Sequence, residues 1–398
     1  MYFRITYILF LVSSLVLGSI YIGPVSCRQL LTIIMLVFCF RESKKILIDK
    51  SFKYFLMFSL FFGLTSLYHG YFSEFAKYFV AYYFVALVGF WATVIIYKKG
   101  YIMDCFHTIV ALGVFDALLT ILQSFGNPLA MAVGMIFAPE EAEKMANSVV
   151  EGEFVSTAIM GIFGAVYNGY YLLVSSVIAL FYVFKYKVTI RFIPFIICFI
   201  GSFLCQQRSP FFLSCIFLVF FVFKLFKRLR FSYKIVLLCV IFLCISYVLP
   251  LFVEFSAQND MRYSSIGLES TGREEIYQFA QTYIRQNLLS ANIFDFRKIY
   301  GYSPHNLIYN MLIYGGVLGF ICILISIILQ LKKTILSVLK PLKNDNALLF
   351  FASGAFLAFT ANSLTHNSSI VTGDFLIWVL WGCVYASSQS FIEYNTAE

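Results

Sequence analysis

Three side chains in the second half of the chain have types and settings suited to chemistry on a phosphorylated ligand: Arg208, Arg273 and His305. Arg208 lies in SFLCQQRSPFFL, a Gln206–Gln207–Arg208–Ser209 step between two apolar runs, with Pro210 opening the next one. An arginine in such a place is costly unless it faces protein or water, and the step is unusually polar for so short a hairpin. Arg273 follows Gly272 in ESTGREEIYQFAQTYIRQN. Thr271 and Glu274 have capping-box spacing. Beyond them Ile276, Phe279, Ala280, Tyr283, Ile284 and Leu288 form one apolar stripe at helical period. The segment reads as an amphipathic helix lying against a larger bundle, with Arg273 in its first turn. Free N–H groups at a helix start, joined by a planar guanidinium with five donors, make a clamp for a diphosphate. The plain alternative is a surface arginine offsetting Glu274 and Glu275. His305 stands in YGYSPHNLIYNMLIYGGVLG, where Pro304 precedes a long apolar run. A neutral imidazole at such a boundary can accept or donate a proton near neutral pH. The alternative is an interfacial histidine with capping duty. Asn306 and Asn310 sit one turn apart, and Gly315, Gly316 and Gly319 are small enough to let another helix approach closely.

Other polar residues are less telling. His366 in NSLTHNSS reads as part of a polar loop, and the stretch PEEAEKMANSVVEG reads as a short surface helix or a solvated face. Asp116, inside an apolar run, is a candidate partner for Arg28, a cavity residue, or a protonated structural carboxyl. The ten cysteines lie almost entirely inside apolar runs, without a C-x-x-C pair, so disulfide and zinc frameworks are not expected. No P-loop, G-x-G-x-x-G, G-x-S-x-G, H-E-x-x-H or D-x-D pattern occurs.

The elements that must position these residues are membrane helices. Of 398 residues, 61% are hydrophobic and 12% charged, and the mean hydropathy is +0.85. Soluble domains carry about 25% charged residues, so a water-soluble globule is excluded. Spans need about 20 mostly apolar residues. Segments approaching this lie near 5–23, 25–40, 54–68, 78–97, 103–124, 157–184, 192–205, 210–226, 235–253, 306–330, 347–364 and 374–392. The first is read as a retained span rather than a cleaved signal, because no A-x-A site follows it. The expected fold is therefore all-α, a single polytopic integral membrane domain over 1–398 with about a dozen helices.

Lys and Arg give the orientation. If the N-terminus is cytoplasmic, every second loop is rich in them. These loops hold 20 of the 29 basic residues. Five of the other nine lie in one long external loop, 254–305, and Glu140, Glu141, Glu143, Glu151 and Glu153 fall in a second, 125–156. The net charge of +9 thus reads as a topology signal facing anionic headgroups, not as a nucleic-acid footprint. Both termini are expected in the cytoplasm, and the chemistry at the outer face.

At these residues the chain resembles the O-antigen polymerase/ligase superfamily of bacterial surface-polysaccharide enzymes. The resemblance rests on three places in order: Gln207–Arg208–Ser209 as an arginine turn between central helices, Gly272–Arg273 early in the large late external loop, and His305–Asn306 opening the next helix ahead of Gly316 and Gly319. It covers roughly the C-terminal half. It departs from the pattern in placing two glutamines, rather than small hydroxyl residues, before the arginine, and in its short external loop. The resemblance implies a metal-independent glycosyltransferase without a cofactor, in the bacterial inner membrane. Its donor would be an oligosaccharide on polyprenyl diphosphate at the outer face. Arg208 and Arg273 would hold the diphosphate, and His305 would orient or deprotonate the acceptor hydroxyl. Gln207, Gly272, Asn306 and Tyr302 would line the substrate site, with Tyr300 and Tyr302 as sugar-stacking candidates. Membrane lipids and a chain-length regulator would be partners. Within the family a polymerase is favoured over a ligase, because modest external basicity gives little grip on a phosphorylated core. A flippase, or a non-catalytic assembly subunit, is the reading from another class. A flippase predicts charge along many spans and two similar halves.

Overall fold

The computed structural model describes residues 2–17, 20–22, 25–43, 49–137, 161–164, 167–186, 189–205, 207–226, 273–301, 303–366 and 369–396. The expected span 235–253, the acidic loop beyond residue 137 and the first part of the large loop lie outside them. Apart from a two-residue hairpin pairing Tyr21–Ile22 with Val25–Ser26, the described regular structure is helical. Four helices are long and apolar enough to cross a membrane: Phe72–Lys98, Ile102–Ser124, Asn168–Tyr186 and Leu307–Leu339. Five shorter apolar helices accompany them. The outside is greasy too. Leu30, Ile33, Val37 and Phe40 follow one another on one helix and are all exposed. An apolar stripe of this kind fits a lipid-facing surface better than a watery one.

The described chain divides into two compact units. The first comprises residues 1–109, 270–340 and 348–398. It contains α1 (Tyr2–Leu15), α2 (Cys27–Glu42), α3 (Lys50–Tyr68), α4 (Phe72–Lys98) and the start of α5 (Ile102–Ser124). The first of these stops at Leu15, short of the expected 23, because the hairpin takes over the chain. The start of α2 is set by a capping box between Ser26 and Gln29. A π turn at Phe79–Tyr83 interrupts α4, and the carbonyl of Ala81 within it accepts from Arg28 Nη2 at 2.6 Å. Such turns offset the regular ladder, and here a guanidinium takes up one of its carbonyls.

Along α3, Phe52, Phe55, Phe58 and Phe62 repeat at three- and four-residue steps and are fully buried. Phe55 meets Trp378 at 4.5 Å and Tyr83 at 5.0 Å between ring centroids. Between apolar helices in lipid, close packing rather than hydrophobic transfer supplies the attraction, and stacked or edge-on rings supply it in quantity.

The later part of this unit holds α10 (Arg273–Gln286), α11 (Ile293–Tyr300), α12 (Leu307–Leu339), α13 (Ala347–Asn362) and α14 (Phe375–Thr396); the intervening numbers belong to the second unit. The expected glycines of α12 act in two ways. Gly315 and Gly319 lie against Phe58 of α3, as a close-approach surface should. Gly315 and Gly316 also break the helix, with φ/ψ of −145/17 and 62/−169. The latter conformation belongs to glycine alone. A side chain at Gly316 would strike the carbonyl of Leu289, and Val317 N–H donates to the carbonyl of Leu288 at 2.9 Å.

The second unit comprises residues 110–269 and 341–347. It holds the rest of α5, then α6 (Pro128–Phe137), α7 (Asn168–Tyr186), α8 (Ile193–Leu204) and α9 (Arg208–Phe226). Small residues again set the contacts, with Gly113 against Ser175 and Gly201 against Ala117. Of the span expected over 157–184, the described residues form a helix from Asn168. Ahead of it a turn with Gly161 at φ 53° and Gly164 at φ 85° is pinned by buried side chains. Ile162 N–H donates to Asp116 Oδ1 at 2.8 Å and Gly161 N–H to Gln123 Oε1 at 3.0 Å.

Candidate functional site

The second unit carries Arg208 as the first residue of α9, partly exposed, with Gln207 buried before it and Pro210 two residues further in. Gln207 sits against Gly169 near the start of α7, where a methyl group would collide with its amide. The neighbouring Asn168 donates to Thr120 at 3.0 Å. Gln207, immediately before α9, is thus packed closely against α7. Asp116, one option for Arg28, is engaged by the Ile162 amide, while Arg28 lies over the Tyr82 ring and donates to Ala81.

The first unit carries Arg273 and His305. Arg273 opens α10, as the amphipathic reading requires, and the stripe buries Ala280, Tyr283 and Ile284, while Phe279 and Leu288 stay exposed. Gly272, Thr271 of the proposed capping box and Tyr302 lie outside the described residues. His305 is the one described non-glycine residue with positive φ, 47°. Such backbone is strained by about 1–3 kcal/mol and persists where its surroundings hold it. The capping duty falls on its neighbour. Asn306 Oδ1 accepts from the amides of Ile308 and Tyr309, and its Nδ2 donates to the Leu364 carbonyl at 3.0 Å. The polar atoms of Asn306 are therefore committed to fixing the loop that carries His305. Asn310, one turn on, is buried, and its Nδ2 has no hydrogen-bond partner among the described residues.

The ends of α10 and α12 that bear these residues are neighbours. Tyr277, one turn after Arg273, lies with its ring centroid 5.3 Å from that of Tyr309, one turn after His305. Gln281 Nε2 donates to the Tyr309 hydroxyl at 2.7 Å. With a rise of about 1.5 Å per residue, Arg273 and His305 belong to one end of this unit. Tyr300 is stacked on Phe279, with centroids 5.0 Å apart, so that face of its ring is taken.

The same end contains a constellation that the sequence reading does not include. His69, just after α3, lies 2.7 Å from the Ser290 carbonyl through Nε2. A carbonyl only accepts, so Nε2 carries the hydrogen. Nδ1 then faces Asp295 Oδ2 at 3.8 Å. The Tyr283 hydroxyl is 2.9 Å from the same carboxylate oxygen, and burial pushes its pKa up, which keeps it a donor. Asn292 caps α11 through Oδ1 and donates through Nδ2 to Ser66 at 2.8 Å and Thr65 at 3.3 Å. The exposed end of α11 adds Arg297, bonded to Ser303, and Lys298 near the Tyr71 ring. No signal in the sequence joins His69 to Asp295, because neither sits in a recognisable pattern and 226 positions separate Ser66 from Asn292.

In the same unit the Tyr78 and Tyr83 hydroxyls donate to the carbonyls of Thr372 and Val371 at 2.8 and 2.6 Å. No protein-family model matches the chain, and no curated protein matches it either.

Proposed function

We propose that this chain is a membrane glycosyltransferase that joins oligosaccharides carried on polyprenyl diphosphate, acting as a polymerase of surface polysaccharide at the outer face of a bacterial inner membrane. Its dozen expected spans and cytoplasmic termini belong to the same proposal. The observation that supports it most is the adjacency of the α10 and α12 starts, which brings a helix-opening arginine and a strained histidine to one end of the first unit. A diphosphate held by Arg273 gains paired donors for the charge that develops on it, and Arg208 is proposed for the same task. The acceptor hydroxyl attacks the anomeric carbon and the bond from that carbon to the diphosphate oxygen breaks. The lipid diphosphate leaves with the electron pair, and the hydroxyl proton passes to the His305 imidazole. In this scheme Asn306 positions His305 and Asn310 is the buried donor nearest along the helix.

The test is chain extension by the purified protein, with a synthetic polyprenyl-diphosphate oligosaccharide and a chelator present, read as a ladder by mass spectrometry. Extension is expected, and Arg208→Ala, Arg273→Ala and His305→Ala are each expected to slow it about 10²–10³-fold, the usual cost of losing one contact to developing charge. Lysine in place of either arginine should also fail, since it lacks the planar fork. No extension by the intact protein, or normal ladders from all three variants, overturns the assignment.

A further inference from the structure

The opposite end of the first unit has a cleft that the proposed chemistry does not use. It has a volume of about 380 Å³, within the range of small-ligand sites, about 300–1,000 Å³. Its walls are the start of α1 (Tyr2, Arg4), the end of α2 (Phe38, Arg41, Glu42) and the turn between α4 and α5 (Lys99, Tyr101). We infer that this cleft binds the phosphodiester headgroup of an anionic phospholipid, in the leaflet that the basic loops face.

The charges carry the argument. Lys99 pairs with Glu42 at 2.6 Å, and Arg4 pairs with Asp104. Arg41 makes no hydrogen bond or ion pair with any described residue, and it is exposed. The five charged groups therefore sum to one surplus positive charge, which matches a phosphodiester carrying one negative charge better than a doubly charged phosphate. The rings serve the same end. Arg4 stacks over Tyr101 at 5.0 Å and Lys99 lies 5.7 Å from the centre of Phe3, so each cation has an aromatic face beside it in the cleft. The two helices that wall the cleft also continue as apolar stripes. Tyr2, Ile5 and Leu9 of α1 and Leu30, Ile33, Val37 and Phe40 of α2 are exposed. A lipid uses both features, its headgroup in the cleft and its acyl chains along the stripes, whereas free phosphate uses only the first. Clusters of basic residues beside spans are the usual device for holding anionic lipids.

The test is native mass spectrometry of the full chain in detergent, titrated separately with phosphatidylglycerol, phosphatidylcholine and inorganic phosphate. Phosphatidylglycerol is expected to bind more tightly than phosphatidylcholine, with inorganic phosphate unable to displace it at equal concentration. Arg41→Gln should weaken phosphatidylglycerol binding about fivefold, the effect of one basic residue at an anionic surface. Arg41→Lys should retain most of it. Tyr2→Ala, which removes a wall but no charge, guards against a folding defect in the arginine variant, and should lower binding of both lipids alike. Equal affinity for the two lipids, displacement by inorganic phosphate, or unchanged phosphatidylglycerol binding in Arg41→Gln each overturns the proposal. None of these outcomes depends on glycosyl transfer.

Discussion

The two ends of the first unit are tied by different forces. At the His305 end, hydroxyls, amides and carbonyls interlock, and most are buried: Asn292 with Ser66, Tyr283 with Asp295, Tyr83 with Val371, Asn306 with Leu364. At the Arg41 end the links are ion pairs and cation–ring contacts whose cations are partly or fully exposed, Arg4 with the buried Asp104 and Tyr101, Lys99 with Glu42 and Phe3. A buried hydrogen bond left half-made costs its full desolvation. An exposed ion pair is replaced by water and salt at little loss. The first end should therefore be rigid and intolerant of substitution, and the second adjustable.

Gly316→Val should break the contrast most severely. It places a branched side chain at φ 62° and against the Leu289 carbonyl. A loss of about 3 kcal/mol or more is expected from backbone strain and overpacking together, seen as a large fall in the thermal midpoint in detergent or as failure to purify a folded chain. A midpoint unchanged within a few degrees would mean that the break in α12 is not required. Asn292→Ala comes next. It removes a helix cap and leaves Ser66 without its donor, and a cost of about 2 kcal/mol follows. Tyr283→Phe should lose about 1 kcal/mol, because one hydroxyl goes while the packing on Phe296 stays. Smallest is Glu42→Gln at the other end, at most about 0.5 kcal/mol and declining with salt. If Glu42→Gln proved costlier than Tyr283→Phe in the same assay, the division between a buried network and an adjustable rim would be wrong.

What could be read from sequence follows from how local each cause is. The stripe Ala280–Tyr283–Ile284 announced α10 because helical periodicity is written within a few turns, and that helix appears from Arg273 onward. The helix after Pro304 was legible for the same reason. The glycines of α12 were half legible. Their small size points to a close helix approach, though not to Phe58 as the partner, and a broken helix depends on Leu288 and Leu289, which a pattern search does not connect to Gly316. The first helix is shorter than its apolar run suggests because that run continues into a hairpin, and hydrophobicity alone does not tell helix from strand. His69 and Asp295 were missed for a more basic reason. Their meeting is a property of the fold, and only a set of helix packings brings an isolated histidine to an ordinary carboxylate.

Val317 carries a consequence of its own. Its amide, deep in a long helix, donates to Leu288 rather than to its own helix. Amide exchange at that single position therefore reports whether the α10–α11 segment is seated, while its neighbours along α12 report only the helix. One hydrogen, followed with and without a bound donor lipid, would time the seating of the segment that leads from Arg273 towards His305.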